Sequence, residues 1–239
     1  MEFQAAFDEL VMIEENIKKI RYKIEEAAVK SNRNPEDIIL IAVTKTVPPE
    51  KIDKAIECGV KIIGENRVQE AREKKDKVKN QALWHMIGHL QKNKVKYAVD
   101  LFAMIQSVDD LELAQEIDKR AKAKNKIMDV LIQVNIGDEK TKSGVTYEKA
   151  EQLIENISTL NNVEVKGLMA IPPFFENTEK VRPYFKKMYE LFLRLKEKNI
   201  PKVEMKYLSM GMTHDFDVAI EEGANMVRIG TGIFGERMR

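Results

Sequence analysis

A lysine stands where an apolar strand runs out. In "IAVTKTVPPE", residues 41–50, Lys45 follows a strand-forming run and precedes two prolines that end any extended segment. Strand alternation puts Ile39, Ile41, Val43 and Lys45 on one face, so the cation extends an apolar row to the strand's C-terminal end. Two fates are open to it. A lysine at a strand end commonly reaches solvent. At an apolar mouth, however, the charged form is disfavoured and the neutral amine becomes a nucleophile toward carbonyl compounds.

Two segments late in the chain bear on that choice. "SMGMTHD" and "RIGTGIFGER" each follow an apolar run and combine glycines and hydroxyls with exposed backbone N–H groups. Ser209, Gly211, Gly230, Thr231 and Gly232 are the candidates to hold an anion through main-chain and hydroxyl donors. One such loop is equally well explained as a tight turn, whereas two together favour an anion site. An amine facing an anion site suits a phosphorylated aldehyde or ketone, and pyridoxal 5′-phosphate (PLP) meets that description.

Other conspicuous residues read as structural. His85 and His89 lie in or just after a strand and lack the helical context and intervening glutamate of a zinc motif, so no metal site is expected. Trp84 is assigned to the core and the twelve methionines mainly to packing, with Met210 and Met212 as candidates to line the pocket. The run "EAREKKDKVK" reads as a solvated helix face.

These residues need elements to position them. "IILIAVT", "KIIGE", "LWHMIG", "FAMIQS", "DVLIQVN", "VKGLMAI", "MKYLSM" and "NMVRIG" read as eight strands, with amphipathic helical stretches between them. Eight βα repeats in 239 residues predict a single (β/α)8 TIM barrel spanning 1–239 as one domain. In that fold the working residues sit at the C-terminal ends of strands, and the loops after the last two strands recurrently bind phosphate. Among the helices, "SVDDLELAQEIDKRAKAK" has Ser107 and Asp110 at the spacing of an N-terminal cap, and Pro183 suits a first turn. Phe3, Phe7, Leu10, Ile13, Ile17, Ile20, Ile24 and Ala27 mark one face of a long N-terminal helix that packs on the chain's own core.

Composition restricts the partners. Lys plus Arg total 40 against 39 for Asp plus Glu, a net charge of +1 that gives no electrostatic case for nucleic acid or an anionic membrane. The partner is therefore expected to be small. Cys58, the single cysteine, excludes an internal disulfide and is expected to be buried and inert in a cytoplasmic protein. "MEFQAAFDEL" lacks the form of a signal peptide, and no apolar run approaches a bilayer span.

The segments "AVTK", "GENRVQE", "WHMIGHLQKNK", "IQSVDD", "QVNIGDEKTKSG", "GLMAI" and "LSMGMTHDFDVAIEEGANMVRIGTGIFGER" together resemble the pyridoxal phosphate homeostasis protein family over nearly the whole chain. The resemblance implies a barrel similar to the N-terminal domain of alanine racemase (PLP fold type III), PLP held as a Schiff base, and a role in vitamin B6 balance. It implies Lys45 as the attachment lysine, Asn66 near the ring, Ser209, Gly230 and Thr231 at the phosphate, and Arg228 facing the pyridine nitrogen. The partners it implies are PLP and apo PLP-dependent enzymes, with the chain a monomer. Many relatives carry a second lysine two residues after the first, where this chain has Val47. Lys142 matches a family lysine and reads either as a second amine for the cofactor or as a solvated loop residue.

Whether the bound cofactor would turn over depends on Arg228. A protonated pyridinium is the electron sink that PLP enzymes use. Guanidinium only donates, so a nitrogen that accepts from it must be unprotonated. A racemase also needs a second acid or base, and none of the six tyrosines, Tyr97 and Tyr207 among them, can be assigned that role by sequence. A cofactor carrier without turnover is the favoured expectation. A PLP-dependent amino-acid racemase is the alternative, and a class I aldolase-like barrel stands behind both.

Overall fold

Among the described residues nine parallel strands follow one another: β1 (Ile39–Val43), β2 (Ile62–Glu65), β3 (Leu83–Met86), β4 (Met104–Val108), β5 (Met128–Asn135), β6 (Val145–Thr146), β7 (Val163–Ala170), β8 (Val203–Ser209) and β9 (Met226–Ile229). They were obtained from a computed structural model that describes residues 2–139 and 142–236, with side chains from residue 8 onward. The hydrogen-bonded order is β4-β3-β2-β1-β9-β8-β7-β5, and β4 pairs with β5 to close the ring. The two-residue β6 adds to the end of β5. This is the expected (β/α)8 barrel, and each of the eight predicted strands overlaps one of the eight ring strands. β6 is too short to carry an alternation pattern, which is why the sequence reading passes over it.

Alternation divides the side chains between two cores. Ile39, Ile41, Ile62, Met104, Leu131, Met169, Tyr207 and Met226 fill the barrel interior. Their neighbours in sequence, such as Ala42, Ile63, Ile105, Leu168 and Val227, point outward into the layer beneath the helices, where Trp84 also packs. Helix residues Ile52, Leu113, Ile117, Phe185 and Leu191 are fully buried against them. Each such large side chain contributes about 1.5–3 kcal/mol by leaving water.

Helices α2 (Pro49–Glu57), α3 (Val68–Lys75), α4 (Val95–Leu101), α5 (Leu111–Lys122), α6 (Ala150–Ser158), α7 (Arg182–Glu197) and α8 (Phe216–Glu221) follow successive ring strands. The last, α9 (Thr231–Phe234), is one turn long and cannot cover its side of the barrel. The long α1 (Glu2–Lys30) takes that place, packing on α2, α8 and α9. Its predicted stripe is the buried one from Ile13 through Ile17, Ile20 and Ile24 to Ala27, with Leu10 packed at its edge. The side chains of Phe3 and Phe7 lie outside the described residues. Asn16 Nδ2 donates to Ile233 O at 3.0 Å and ties α1 to α9.

Three local expectations are corrected. Asp110, not Ser107, caps α5: its Oδ1 accepts from Leu113 N at 2.7 Å, while Ser107 is a fully buried residue of β4. The β-strand runs to Val108, so the helix cannot start until after that residue. Cys58 is half-buried at the end of α2, because the chain turns there toward β2, and burial still pushes its thiol pKa up. Met210 is fully buried in the outer layer, on the opposite parity to Ser209, and so does not line the mouth; Met212 is exposed there. Pro183 occupies the first turn of α7 as expected. Among the described residues no helix is long and apolar enough to cross a membrane.

Candidate binding site at the barrel mouth

Lys45 follows β1 in a turn, half-buried, two residues beyond the strand's C-terminal Val43. The next residue, Thr46, holds φ at +64°. For a β-branched side chain this left-handed conformation costs roughly 1–2 kcal/mol and needs external support. Helix α3 provides that support. Lys74 Nζ donates to Thr44 O at 2.6 Å, to Glu65 Oε1 at 2.9 Å and to Glu70 Oε1 at 2.5 Å, which uses all three ammonium donors. Glu70 also accepts from Thr46 N, and Thr44 Oγ1 donates to Glu65 Oε1 at 2.7 Å. Burial raises the Glu65 pKa against the pull of Thr44 and Lys74. Burial also opposes ionisation of Glu70, but Lys74 and the Thr46 N–H hold its pKa below the usual range. Lys74 is only 8% exposed, so the reading of its segment as a solvated face fails at this residue. The i,i+4 pairing of Glu70 and Lys74 was the available signal.

A second buried polar chain crosses the barrel interior. Arg228 Nη1 donates to Ser209 Oγ at 2.6 Å and Nη2 to Ala170 O at 2.8 Å. Ser209 Oγ donates to Gln106 Oε1 at 2.7 Å, and Gln106 Nε2 reaches His85 Nδ1 at 3.0 Å and Met226 Sδ at 3.2 Å. All four polar residues are nearly or fully buried. Burial lowers the Arg228 pKa to about 10, with the Asp215 carboxylate opposing that shift. Burial alone lowers His85 to about 4. The imidazole is therefore neutral at neutral pH, and its Nδ1 accepts from the glutamine amide. Gln106 was not singled out from sequence, and His85 was read as structural; their inward parity with Met104 and Leu83 is visible only once the strands pair.

At the rim, Asn66 follows β2 in a bend, and the loop after β3 approaches it closely. A Cβ on Gly88 would lie 2.4 Å from Asn66 O, so only glycine permits the contact. After β9, Gly230, Thr231 and Gly232 begin α9. Thr231 is exposed, its Oγ1 lies 3.2 Å from Thr213 Oγ1, and Gly232 N donates to Thr213 Oγ1 at 3.1 Å. Gly211 turns the chain after β8 at φ +91°, where a Cβ would lie 2.6 Å from Ala219 Cβ. A cleft of about 410 Å3 opens beside this rim, between Val43, Thr46 and Val47 on one side and Gly230, Thr231 and Phe234 on the other. A larger cleft of about 630 Å3 lies at the opposite end of the barrel, between α1 and the starts of β1 to β3. Because barrel sites are built from the C-terminal ends of strands, the mouth is the better candidate.

The predicted residues thus come from four adjacent strands, in the order β2-β1-β9-β8: Asn66, Lys45, Arg228 with Gly230 and Thr231, and Ser209. Ser209 differs from the rest in that its hydroxyl is fully buried between Arg228 and Gln106. Lys142 comes from the far side of the ring, after β5, where its Nζ pairs with Glu139 at 2.6 Å and donates to Pro172 O at 3.0 Å. Val47 is buried in the outer core, a position where it packs as an apolar residue.

Comparison with known proteins agrees with the barrel fold. Residues 10–238 match the family model for the N-terminal domain of alanine racemase. The pyridoxal phosphate homeostasis protein of Aquifex aeolicus is 49% identical over 224 residues, covering 93% of this chain and 97% of that protein. The protein of the same name from Escherichia coli K12 is 37% identical over 231 residues, covering 94% and 97%. The solved structure of PipY from Synechococcus elongatus with PLP bound superposes with a TM-score of 0.81 at 30% identity, covering 93% of this chain and all of that one. Alanine racemase of Clostridium difficile shares the fold alone, at a TM-score of 0.66 and 19% identity, and only 58% of its chain is covered. With relatives this similar over almost their entire length, the chain belongs to the pyridoxal phosphate homeostasis protein family, within the wider family of alanine racemase N-terminal domains.

Proposed function

We propose that the whole chain acts as one PLP-binding domain that holds the cofactor at the barrel mouth for PLP (vitamin B6) homeostasis, without catalytic turnover. Apo PLP-dependent enzymes are the proposed recipients, and a monomer is the proposed working form. The observation that carries the reading is that Lys45 lies in the turn directly after β1 and Arg228 lies on β9, the strand that pairs with β1.

The donor set fits PLP. Arg228 spends two N–H groups on Ser209 Oγ and Ala170 O, and a guanidinium has five, so donors remain for an acceptor such as a pyridine nitrogen. At the rim the exposed Thr231 hydroxyl suits a phosphate, whereas Gly232 N is already spent on Thr213 Oγ1. When bound, PLP supplies an aldehyde that a lysine amine can hold and a ring that absorbs electrons only if its nitrogen is protonated. Lys45 provides the amine, and its supported turn limits where that amine can reach. Arg228 remains charged at neutral pH even with its pKa lowered to about 10, so it gives no proton to a ring nitrogen. The buried Ser209–Gln106–His85 chain fixes the guanidinium from behind. Asn66 borders the same rim.

The test is the absorption spectrum of the purified protein with PLP, before and after borohydride reduction, followed by peptide mapping. A single modified lysine at Lys45, lost in a folded Lys45→Ala variant, supports the reading. A reduced adduct that persists at another lysine in that variant rejects Lys45 as the holder.

A further inference from the structure

We infer that Lys74, Glu70 and Glu65 form a clamp that sets the direction of Lys45, which makes them positioning residues for the amine although none of them lines the cleft at the rim. This rests on the reading of Lys45 as the cofactor's lysine. The two backbone groups on either side of Lys45 are both held by α3: Thr44 O accepts from Lys74 Nζ at 2.6 Å, and Thr46 N donates to Glu70. Between them the turn closes on itself, with Thr46 Oγ1 donating to Lys45 O at 2.6 Å and Val47 N to Thr44 O at 2.9 Å.

The clamp has features that a merely stabilising ion pair does not need. Its ammonium is committed to a main-chain carbonyl as well as to two carboxylates, so breaking it frees the backbone at the lysine. The conformation it holds is one that threonine disfavours, since Thr46 sits at φ +64°. Without the Glu70 contact the turn would relax toward negative φ, and the Lys45 side chain would swing with it. Glu65, fully buried at the end of β2, anchors Lys74 to the barrel and so links the direction of the lysine to strand pairing. Gly64, its predecessor, accepts from Thr44 N at 3.0 Å, which ties the same turn to the same strand.

Glu70 is the position to vary, because it is the more exposed carboxylate, at 21% of its side chain against 0% for Glu65. Glu70→Gln keeps an acceptor for Thr46 N, whereas Glu70→Ala removes it. The primary readout is the rate at which Lys45 of the cofactor-free protein is acetylated by trace acetic anhydride, mapped by peptide and normalised to the other lysines. The expected result is a change of about fivefold or more at Lys45 alone in Glu70→Ala and less than twofold in Glu70→Gln. Adding Thr46→Gly to Glu70→Ala should restore part of the wild-type rate, because glycine takes φ +64° without strain. An unchanged Lys45 rate in folded Glu70→Ala, or equal changes in the Ala and Gln variants, overturns the clamp. Should Glu70→Ala not fold, amide hydrogen exchange of the wild-type protein decides. The Thr46 amide, on an exposed residue, must exchange slowly, and exchange at the rate of a free loop rejects the proposal. Both readouts are independent of PLP, so failure of the clamp and failure of Lys45 to capture PLP are separate results.

Discussion

Arg228 Nη1 donates to Ser209 Oγ over 2.6 Å inside the barrel, and the same hydroxyl donates in turn to Gln106 Oε1. The serine is thus both acceptor and donor in a dry environment, and its loss leaves two groups unpaired. Ser209→Ala should lower stability by about 1–3 kcal/mol, the cost of buried polar groups without partners. Urea denaturation measures it. An unchanged midpoint would mean that Arg228 and Gln106 find other partners.

Thr231 stands in contrast, because its hydroxyl is exposed at the rim. Thr231→Ala should leave the urea midpoint nearly unchanged and weaken PLP retention by roughly 1–2 kcal/mol, the scale of one hydrogen bond to a charged group. Pyridoxal without its phosphate should then bind wild type and variant equally. A loss of pyridoxal affinity in Thr231→Ala, measured by the same titration, would remove the phosphate assignment.

The proposed absence of turnover has its own measurement. Wild-type protein loaded with PLP and incubated with alanine in deuterated water should show negligible exchange of the alanine α-proton if, as proposed, Arg228 keeps a donor rather than an acid at the ring nitrogen. Fast exchange, followed by proton NMR, would restore the racemase alternative. An acid is a poor replacement here: Arg228→Glu would put a carboxylate against Ala170 O in a buried site and should cost about 3 kcal/mol or more.

His85 predicts a pH dependence. Its folded pKa is lowered to about 4 from an ordinary 6.5, so below pH 6.5 the unfolded chain takes up a proton that the folded protein refuses. The His85 contribution to stability is complete above about pH 6.5, falls as the pH drops toward 4, and is lost below it. Its full size is about 3 kcal/mol. Burial raises the pKa values of Glu65, Asp109 and Asp215, and those groups act in the opposite sense. The comparison is therefore between wild type and His85→Gln. Denaturation midpoints from pH 4 to 7 should fall less steeply in the variant, and parallel curves would contradict a neutral buried imidazole.

Much of this arrangement is legible in the linear chain. The alternation of Ile39, Ile41, Val43 and Lys45, and of Met226, Arg228 and Gly230, follows from the two-residue period of a strand. That period needs no knowledge of neighbours, so eight strands, the two rows that end in Lys45 and Gly230, and the end of the barrel that carries Lys45 could be read directly. The glycine loops after the last two strands were legible for the same reason, because the turn chemistry of glycine is local.

What the chain alone did not reveal are contacts between segments far apart in sequence. Gln106 and His85 belong to β4 and β3, and Ser209 and Arg228 to β8 and β9; they meet only because the ring closes. Lys74 looked like one cation in a charged run until α3 laid it over Thr44 and Glu65. Ser107 looked like a helix cap until strand pairing carried β4 through Val108 and left the role to Asp110. Sequence by itself determined the periodic and local features: the βα repeat, the inward row that ends in Lys45, the glycine turns and the family. Tertiary structure alone decided which buried polar groups satisfy one another, because a donor taken out of water must find its acceptor among whatever residues the closed barrel brings within about 3 Å.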